Sequence, residues 1–590
     1  MEQYLSPDLK RRFEKRFSRL YGKKHTERCV KRLRMLFGRY GLGLNGHQKK
    51  AHYDWTEEDA IMITYGDMIY HDDQKKLNSL IIFLKEYVQN AISTVHVLPF
   101  FPYSSDEGFS VIDYRKVRQD LGDWNTIQTL TANYRVMADL VINHASKESS
   151  WFRDFTNGVA PGRDYFITMD PDTDLSQVTR PRSSPLLHEY ETRFGKKHVW
   201  TTFSEDQVDL NFSNPDVFFE FLDILIYYIS RGIRVIRLDA IAYLWKKVGT
   251  SCIHLPETHE VVKLIRDVVD LIAPGVNIIT ETNVPHEENI SYFGNGDEAH
   301  MVYQFSLPPL LLHAILFEDA SYLTEWASGL SSLPEKCTYF NFTASHDGIG
   351  VRPLEGIIPD EEIHSLADSI KEKGGYVSYK KNSDGSESPY ELNITYLDAF
   401  RDEGDETPED PREAEATDKQ MKQFLCSQLV MLSMKGVPGI YFHNLVGTHN
   451  NEKGVQEEGH NRAISRYRWQ FKDLIERVEN PESSSYQIFN SYKKILQRRS
   501  QYKSFHPFGG QNIYDLHPQL FTVHRTSPHR DESVFVVANV SGSDVKLELA
   551  DLHTPLDPQG EYFDIMQDQK VKLDGSLELK PWQVVWLKLF

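Results

Sequence analysis

VIRLDA, residues 235–240, is the stretch on which the reading of this chain turns. On an extended strand successive side chains alternate between faces, so Arg237 and Asp239 share one face and Ile236 and Leu238 the other. A strand apolar on one side, with a guanidinium and a carboxylate on the other, fits a parallel barrel whose C-terminal strand ends carry chemistry. Working outward, AIMITYGDMIY (60–70), STVHVLPFF (93–101) and YRVMADLVINH (134–144) precede it. NIITETN (277–283), HMVYQFSLPP (300–309), YFNFTASHD (339–347) and GVPGIYFHN (436–444) follow. Amphipathic helical stretches separate these runs, which is the alternation of βαβ units. Eight such strands predict an α/β fold, a closed (β/α)8 TIM barrel with its active loops at one end.

Two long stretches interrupt the alternation, 145–205 and 351–420, and both are expected as loop-inserted subdomains on the catalytic face. The second contains an acidic run, DEGDETPEDPREAEA, read as a solvated loop. From about 511 to 590 short alternating segments such as SVFVVANVS and WQVVWLKLF predict a small C-terminal antiparallel β domain. Residues 59–510 are then the barrel, and 1–58 an N-terminal helical extension.

That extension departs from the rest in charge. Residues 1–50 hold 15 Lys or Arg against 4 Asp or Glu, whereas the whole chain of 590 residues carries a formal charge of −19. An acidic body argues against nucleic acid as a partner. Phe13, Phe17, Leu20, Val30, Leu33 and Phe37 recur at near-helical spacing, so the basic helices are expected to pack as a collar against the acidic body. No secretory leader pattern opens the chain, and its apolar runs are shorter than the ~20 residues a membrane span needs. A cytoplasmic protein with no membrane partner is expected; a homodimer is compatible with the sequence. The four cysteines, Cys29, Cys252, Cys337 and Cys426, are too scattered for a zinc motif or a disulfide framework.

Chemistry concentrates at the strand ends. A guanidinium beside Asp239 favours its charged form, which a nucleophile requires, although an ordinary buried ion pair explains the two residues equally well. Glu281, at the tip of IITETN, suits an acid/base whose pKa a partly dry pocket would raise. His346 and Asp347 end the seventh strand, and His144 ends the third. Either histidine could bond sugar hydroxyls, and either could be a satisfied core residue. Asp139 and Asn143 read as structural.

The order DxxxNH, RLDA, a strand ending in Glu, and HD resembles the four signature regions of the α-amylase clan. The resemblance implies Asp239 as nucleophile, Glu281 as general acid/base and Asp347 as transition-state stabiliser of a retaining enzyme, with no metal and no cofactor. A closer likeness, to the sucrose phosphorylase branch, covers most of 60–500 through ITYGD, HVLPFFPYSSDEGFSVIDY, RPR, FSEDQVDLN, GTSCIHLPETH, SLPPLLLHA, SHDGIGV and GVPGIYF. It implies that Asp106 and Arg462 hold the far hydroxyls of one glucosyl unit. Phe109 and Phe203 would wall it, Gln207 would face the acceptor, and Arg237, His144 and His346 would complete the sugar site. Arg182 of RPR and Tyr390 of SPYELN align with residues that bind phosphate or acceptor; a Pro-bounded loop with surface arginines is the plain alternative for RPR. Phosphate defeats ~55 M water only where fixed donors meet its charge while water is excluded.

SSDEGFSVIDY, DLSQVTRPRSSPLL, IITETNVPH and DEAHMVYQFSLPPLLLHA look most similar to glucosylglycerate phosphorylases. Sucrose phosphorylases carry Gln where this chain has Glu391, which weakens a fructose acceptor. The implied reaction is reversible phosphorolysis of 2-O-α-glucosylglycerate to α-D-glucose 1-phosphate and D-glycerate. Sucrose, sucrose phosphate or glucosylglycerol as substrate, or a hydrolase or transglucosidase of the same fold, stand as alternatives. The basic cluster Arg193, Lys196, Lys197 and His198 could neutralise a glycerate carboxylate, or be a solvated positive loop.

Overall fold

Eight parallel strands close into a barrel in the computed structural model, which describes residues 6–40, 54–182, 184–381, 386–404, 408–550 and 553–589. They are β1 (Ile61–Thr64), β2 (Thr94–Val97), β3 (Arg135–Val141), β4 (Val235–Asp239), β5 (Asn277–Thr280), β6 (Met301–Tyr303), β7 (Thr338–Phe342) and β8 (Val437–Tyr441). Each falls on one of the eight runs picked out in the sequence, β7 beginning one residue ahead of its run, and their order around the barrel follows the chain. Their near-continuous apolar, β-branched character is what parallel strands buried on both faces require. Strand β4 pairs with β3 in a register that sets Arg237 opposite Asp139 and Asp239 opposite Val141. On its other side Arg237 lies opposite Ile279 of β5.

The chain divides into two compact units, one of Met1–Asp54, Val97–Thr282 and Ile290–Val302, the other of Trp55–His96, Asn283–Asn289 and Tyr303–Phe590.

In the first unit the basic N-terminal segment forms helices α1 (Pro7–Tyr21) and α2 (Lys23–Arg39). Ser6 caps α1 and Pro7 opens it, while Gly22, at φ 75°, turns the chain between the two helices. Phe13, Phe17, Leu20, Leu33 and Phe37 are buried. The Phe17 ring lies 6.0 Å from Phe218 and 5.9 Å from Phe219 on α3 (Pro215–Ser230). Salt bridges join the same surfaces: Arg19 to Glu260 (2.6 Å), Arg39 to Asp223 (3.1 Å) and Arg16 to Asp267 (2.6 Å) on α4 (Pro256–Ile272) or α3. Exposed pairs contribute at most about 1 kcal/mol each, and a buried Phe or Leu about 1.5 to 3 kcal/mol, so the apolar stripe holds the collar. Arg16, with a side chain 8% exposed, is the exception among the ion pairs. Residues 41–53 of the expected extension lie outside the described residues.

The first insertion builds a small antiparallel sheet from Thr168–Met169, Leu187–Thr192 and Gly195–Trp200. In its hairpin Lys196 meets Glu189 at 2.6 Å, and His198 faces the same carboxylate. Two members of the cluster at 193–198 thus face acids of their own hairpin.

In the second unit the other insertion holds the helix Asp360–Glu372 and the paired strands Tyr376–Lys381 and Glu387–Asn393. Helices α5 (Ser321–Ser328) and α6 (Asp418–Ser433) belong to this unit, as does a six-stranded antiparallel sheet beginning with β9 (Gly510–Tyr514). All four cysteines are buried as free thiols. Among the described residues no helix is long and apolar enough to cross a membrane.

Candidate active site

In the first unit, one guanidinium organises three carboxylates. Arg237, 2% exposed, donates through Nη1 to Asp139 Oδ1 at 2.5 Å and to Asp239 Oδ1 at 2.7 Å. Its Nη2 lies 3.8 Å from Glu281 Oε2. The strand register explains the first pair, and alternation along β4 the second. The chain then turns sharply: Ala240 sits at φ 49°, a left-handed conformation costly for any residue with a Cβ. That turn aims the Ala240 N–H at Glu281 Oε2, 3.2 Å away. The Arg237 guanidinium also lies 5.6 Å from the centre of the Phe109 ring.

Burial pushes the Asp239 carboxyl well above the usual carboxylate range; the charge of Arg237 opposes this, and Glu281 and Asp139 reinforce it. Arg237 favours the charged form of Asp239, as expected, but it faces three acids at once, and burial outweighs its charge.

His144, fully buried, lies with Nε2 2.9 Å from the Phe109 carbonyl, which assigns the proton to that nitrogen. Desolvation lowers its pKa, so the ring is neutral. Its ring stands 5.3 Å from Phe203. Gln207 Nε2 donates to Asp106 Oδ2 at 2.9 Å and lies 3.3 Å from His144 Nε2. Asp106, exposed, and Glu107 both adopt positive φ. Five of the expected sugar-site residues, Asp106, Phe109, His144, Phe203 and Gln207, are thereby joined in one network with Arg237. Sequence reasoning missed its support: buried Lys246 lies 2.5 Å from Asp209 Oδ2 and donates to Asn143 Oδ1 at 2.6 Å. Asp209 stands in the quoted FSEDQVDLN, but nothing in that motif names a lysine 37 residues later as its partner. Arg182 is half-buried and, among the described residues, has no ion-pair partner.

In the second unit Asp347 follows β7 and receives Arg462 Nη1. The same guanidinium grips Glu391 from both sides, Nε to Oε1 at 3.0 Å and Nη2 to Oε2 at 2.5 Å. Glu391 is 3% exposed, so its carboxylate is wholly engaged by Arg462. Gly348 permits this approach, since a Cβ there would come within 2.5 Å of Glu391 Cγ. His346 Nε2 is 3.4 Å from Asp347 Oδ2, and its ring meets Tyr65 edge-on at 5.8 Å. Arg466 donates to the His346 carbonyl at 2.8 Å and stacks over Tyr65. Tyr65 sits inside the quoted motif ITYGD and Arg466 four residues after Arg462, yet only the folded chain shows them bracing His346. Tyr390 precedes Glu391 on the strand Glu387–Asn393, half-buried.

Residues 81–347 match the α-amylase catalytic domain. Over 483 residues the chain is 49% identical to a glucosylglycerate phosphorylase of Spirochaeta thermophila, covering 82% of this chain and 80% of that protein. Over 543 residues it is 39% identical to the glucosylglycerate phosphorylase of Escherichia coli, covering 92% and 93%. The crystal structure of a sucrose 6F-phosphate phosphorylase from Thermoanaerobacter thermosaccharolyticum superposes with a TM-score of 0.70 at 23% identity, over 84% of this chain and 96% of that one, a likeness of fold. With relatives this similar along four fifths or more of their length, the chain belongs to the glucosylglycerate phosphorylase family of α-amylase-type enzymes.

Proposed function

We propose that this protein is a retaining glycoside phosphorylase that reversibly converts 2-O-α-glucosylglycerate and phosphate into α-D-glucose 1-phosphate and D-glycerate. The observation that carries the chemistry is the Arg237 cluster, in which Asp239 and Glu281 share one guanidinium. Asp239 attacks the anomeric carbon as Glu281, in its protonated form, gives its proton to the departing glycerate oxygen. The bond from sugar to glycerate breaks and a bond from sugar to Asp239 forms. Phosphate then attacks from the face that glycerate left, Glu281 takes its proton, and Asp239 is released, so configuration is retained.

Asp347, held by Arg462, takes the role of stabilising positive charge at the anomeric carbon. Asp106, Phe109, His144, Phe203, Gln207 and His346 are assigned to the glucosyl unit. Arg182 is assigned to phosphate: a guanidinium without a carboxylate partner among the described residues offers a planar fork of donors to an oxyanion. Tyr390 is assigned to the phosphate or acceptor, and Glu391 acts through Arg462. Glycerate is supported as acceptor by the identity of the relatives above. A cytoplasmic setting fits the four free thiols.

The deciding assay offers glucose 1-phosphate with D-glycerate, glycerol or fructose, and in reverse measures glucose 1-phosphate against free glucose in phosphate buffer. Preferential coupling to glycerate and glucose 1-phosphate as main product are expected. Free glucose regardless of phosphate would make the enzyme a hydrolase, and preference for another acceptor would reassign the substrate.

A further inference from the structure

Away from the carboxylates, the second unit contains a cavity of about 300 Å³ lined by α5 and the loop after it, Tyr339 of β7, Lys435 just before β8, and Gln511 and Asn512 of β9. Its polar lining is made of hydroxyls, amides and one ammonium, without a carboxylate. Ser328 and Ser331 supply hydroxyls from one side. The backbone at Lys435 is fixed, its N–H donating to Gln511 Oε1 at 2.6 Å and its carbonyl accepting from Asn341 Nδ2 at 3.1 Å. Its half-buried ammonium has no hydrogen-bond or ion-pair partner among the described residues.

The charge that bears on Lys435 is positive. Arg525 is fully buried and donates only to carbonyls, those of Gly510 (3.0 Å), Ser433 (2.8 Å) and His506 (2.9 Å). Arg499 does likewise toward Leu432, Glu57 and Phe505. Burial lowers the pKa of both, and burial together with the charge of Arg525 lowers that of Lys435. An isolated buried cation is costly, and the usual remedy is a counter-charge.

Behind the Tyr339 wall the His286 ring is 6.3 Å from Tyr339 and 6.4 Å from Trp326. The buried Trp326 indole N–H has no hydrogen-bond partner among the described residues, and the Gln304 side chain reaches both His286 and Tyr339. The nearest acid felt by Tyr339 is Glu287, which does not line the cavity. A donor-rich cavity with no carboxylate in its lining, carrying the Lys435 ammonium and adjoining the positive charge of Arg525, is complementary to an acceptor-rich anion.

We infer that this cavity is a second ligand site, distinct from the carboxylate cluster, that takes a small oxyanion of the phosphate or carboxylate class with Lys435 as its counter-charge. The substrates and products of the proposed reaction include anions of both kinds, so occupancy of this site would follow their concentration.

Hydrogen exchange read by mass spectrometry on the full chain tests this, with orthophosphate, D-glycerate and neutral glycerol as separate probes. An oxyanion should slow exchange several-fold in 327–333 and 510–514; glycerol should not. Protection by phosphate alone or by glycerate alone identifies which anion the site takes. Lys435→Gln should lose that protection while keeping turnover, and Lys435→Arg should retain it. Absence of protection in these segments with either anion, equal protection by glycerol, or undiminished protection in a folded Lys435→Gln protein would overturn the inference.

Discussion

Replacing Asp239 by Asn separates catalysis from stability in a way the cluster geometry dictates. The amide is nearly isosteric and its Oδ1 still accepts from Arg237, which donates at 2.7 Å in the native chain. It has no charge with which to attack, so kcat should fall about 10,000-fold or more, equivalent to about 5.5 kcal/mol of barrier. Stability should move the other way. Because burial raises the Asp239 pKa, the folded chain holds a proton that the unfolded chain releases first as pH rises. The native side chain therefore contributes nothing below the unfolded carboxylate pKa, and destabilises increasingly as pH climbs from there toward its folded value. The variant is free of this penalty, so its thermal midpoint should exceed that of the native protein by a margin that widens from acidic to neutral pH. Initial rates of glucose 1-phosphate formation and calorimetric scans across pH measure both halves. A variant within tenfold of native turnover, or one that is less stable at neutral than at acidic pH relative to the native protein, would refute the reasoning.

Glu281→Gln removes the acid whose charge raises Asp239; with α-glucosyl fluoride, which needs no proton donor, the acidic limb of the rate profile should move to lower pH. An unmoved limb would contradict that influence of Glu281 on Asp239. Arg182→Ala should raise the KM for phosphate about 10- to 100-fold, the worth of a charge-assisted hydrogen bond of roughly 1.5 to 3 kcal/mol, while hydrolysis changes little. Equal loss of both activities would reject the phosphate role. Glu391→Gln should retain one contact to Arg462 and lower kcat/KM for the glucosyl donor by about tenfold, without the collapse expected of a catalytic loss. Arg16→Met leaves Asp267 to Arg12 and Glu260 to Arg19, both more exposed arginines, so stability should fall by about 1.5 to 3 kcal/mol in denaturant titration, the worth of a hydrogen bond between charged groups, with KM values unchanged.

The barrel was legible because parallel strands buried on both faces leave an unmistakable residue pattern: IMIT, VMADLV and NIIT could hardly be anything else in a chain that alternates them with amphipathic helices. Alternation likewise placed Arg237 and Asp239 on one face. It could not place Asp139 opposite Arg237, since strand register depends on the packing of the whole barrel. One cation beside one acid reads as a simple pair; only the folded barrel shows that Asp139 and Glu281 compete for the same guanidinium and push the Asp239 carboxyl up. Glu391 was noticed as a departure from glutamine, but its partner lies 71 residues away on another loop. Lys246 and Arg466 were hidden for the same reason, as contacts made across sequence distances that no local period encodes. The collar helices were visible in their apolar stripe, whereas the acids they meet on α3 and α4 lie more than 180 residues downstream.

The most direct measurement is a trap of the covalent intermediate. Glu281→Gln, mixed with α-glucosyl fluoride in the absence of phosphate and quenched, should form the glucosyl-enzyme yet lack the base that activates water to clear it. Peptide mass spectrometry should then find one glucosyl residue esterified to Asp239 within VIRLDA. A glucosyl group on any other side chain, or quantitative release of inverted sugar with no adduct at all, would contradict the account.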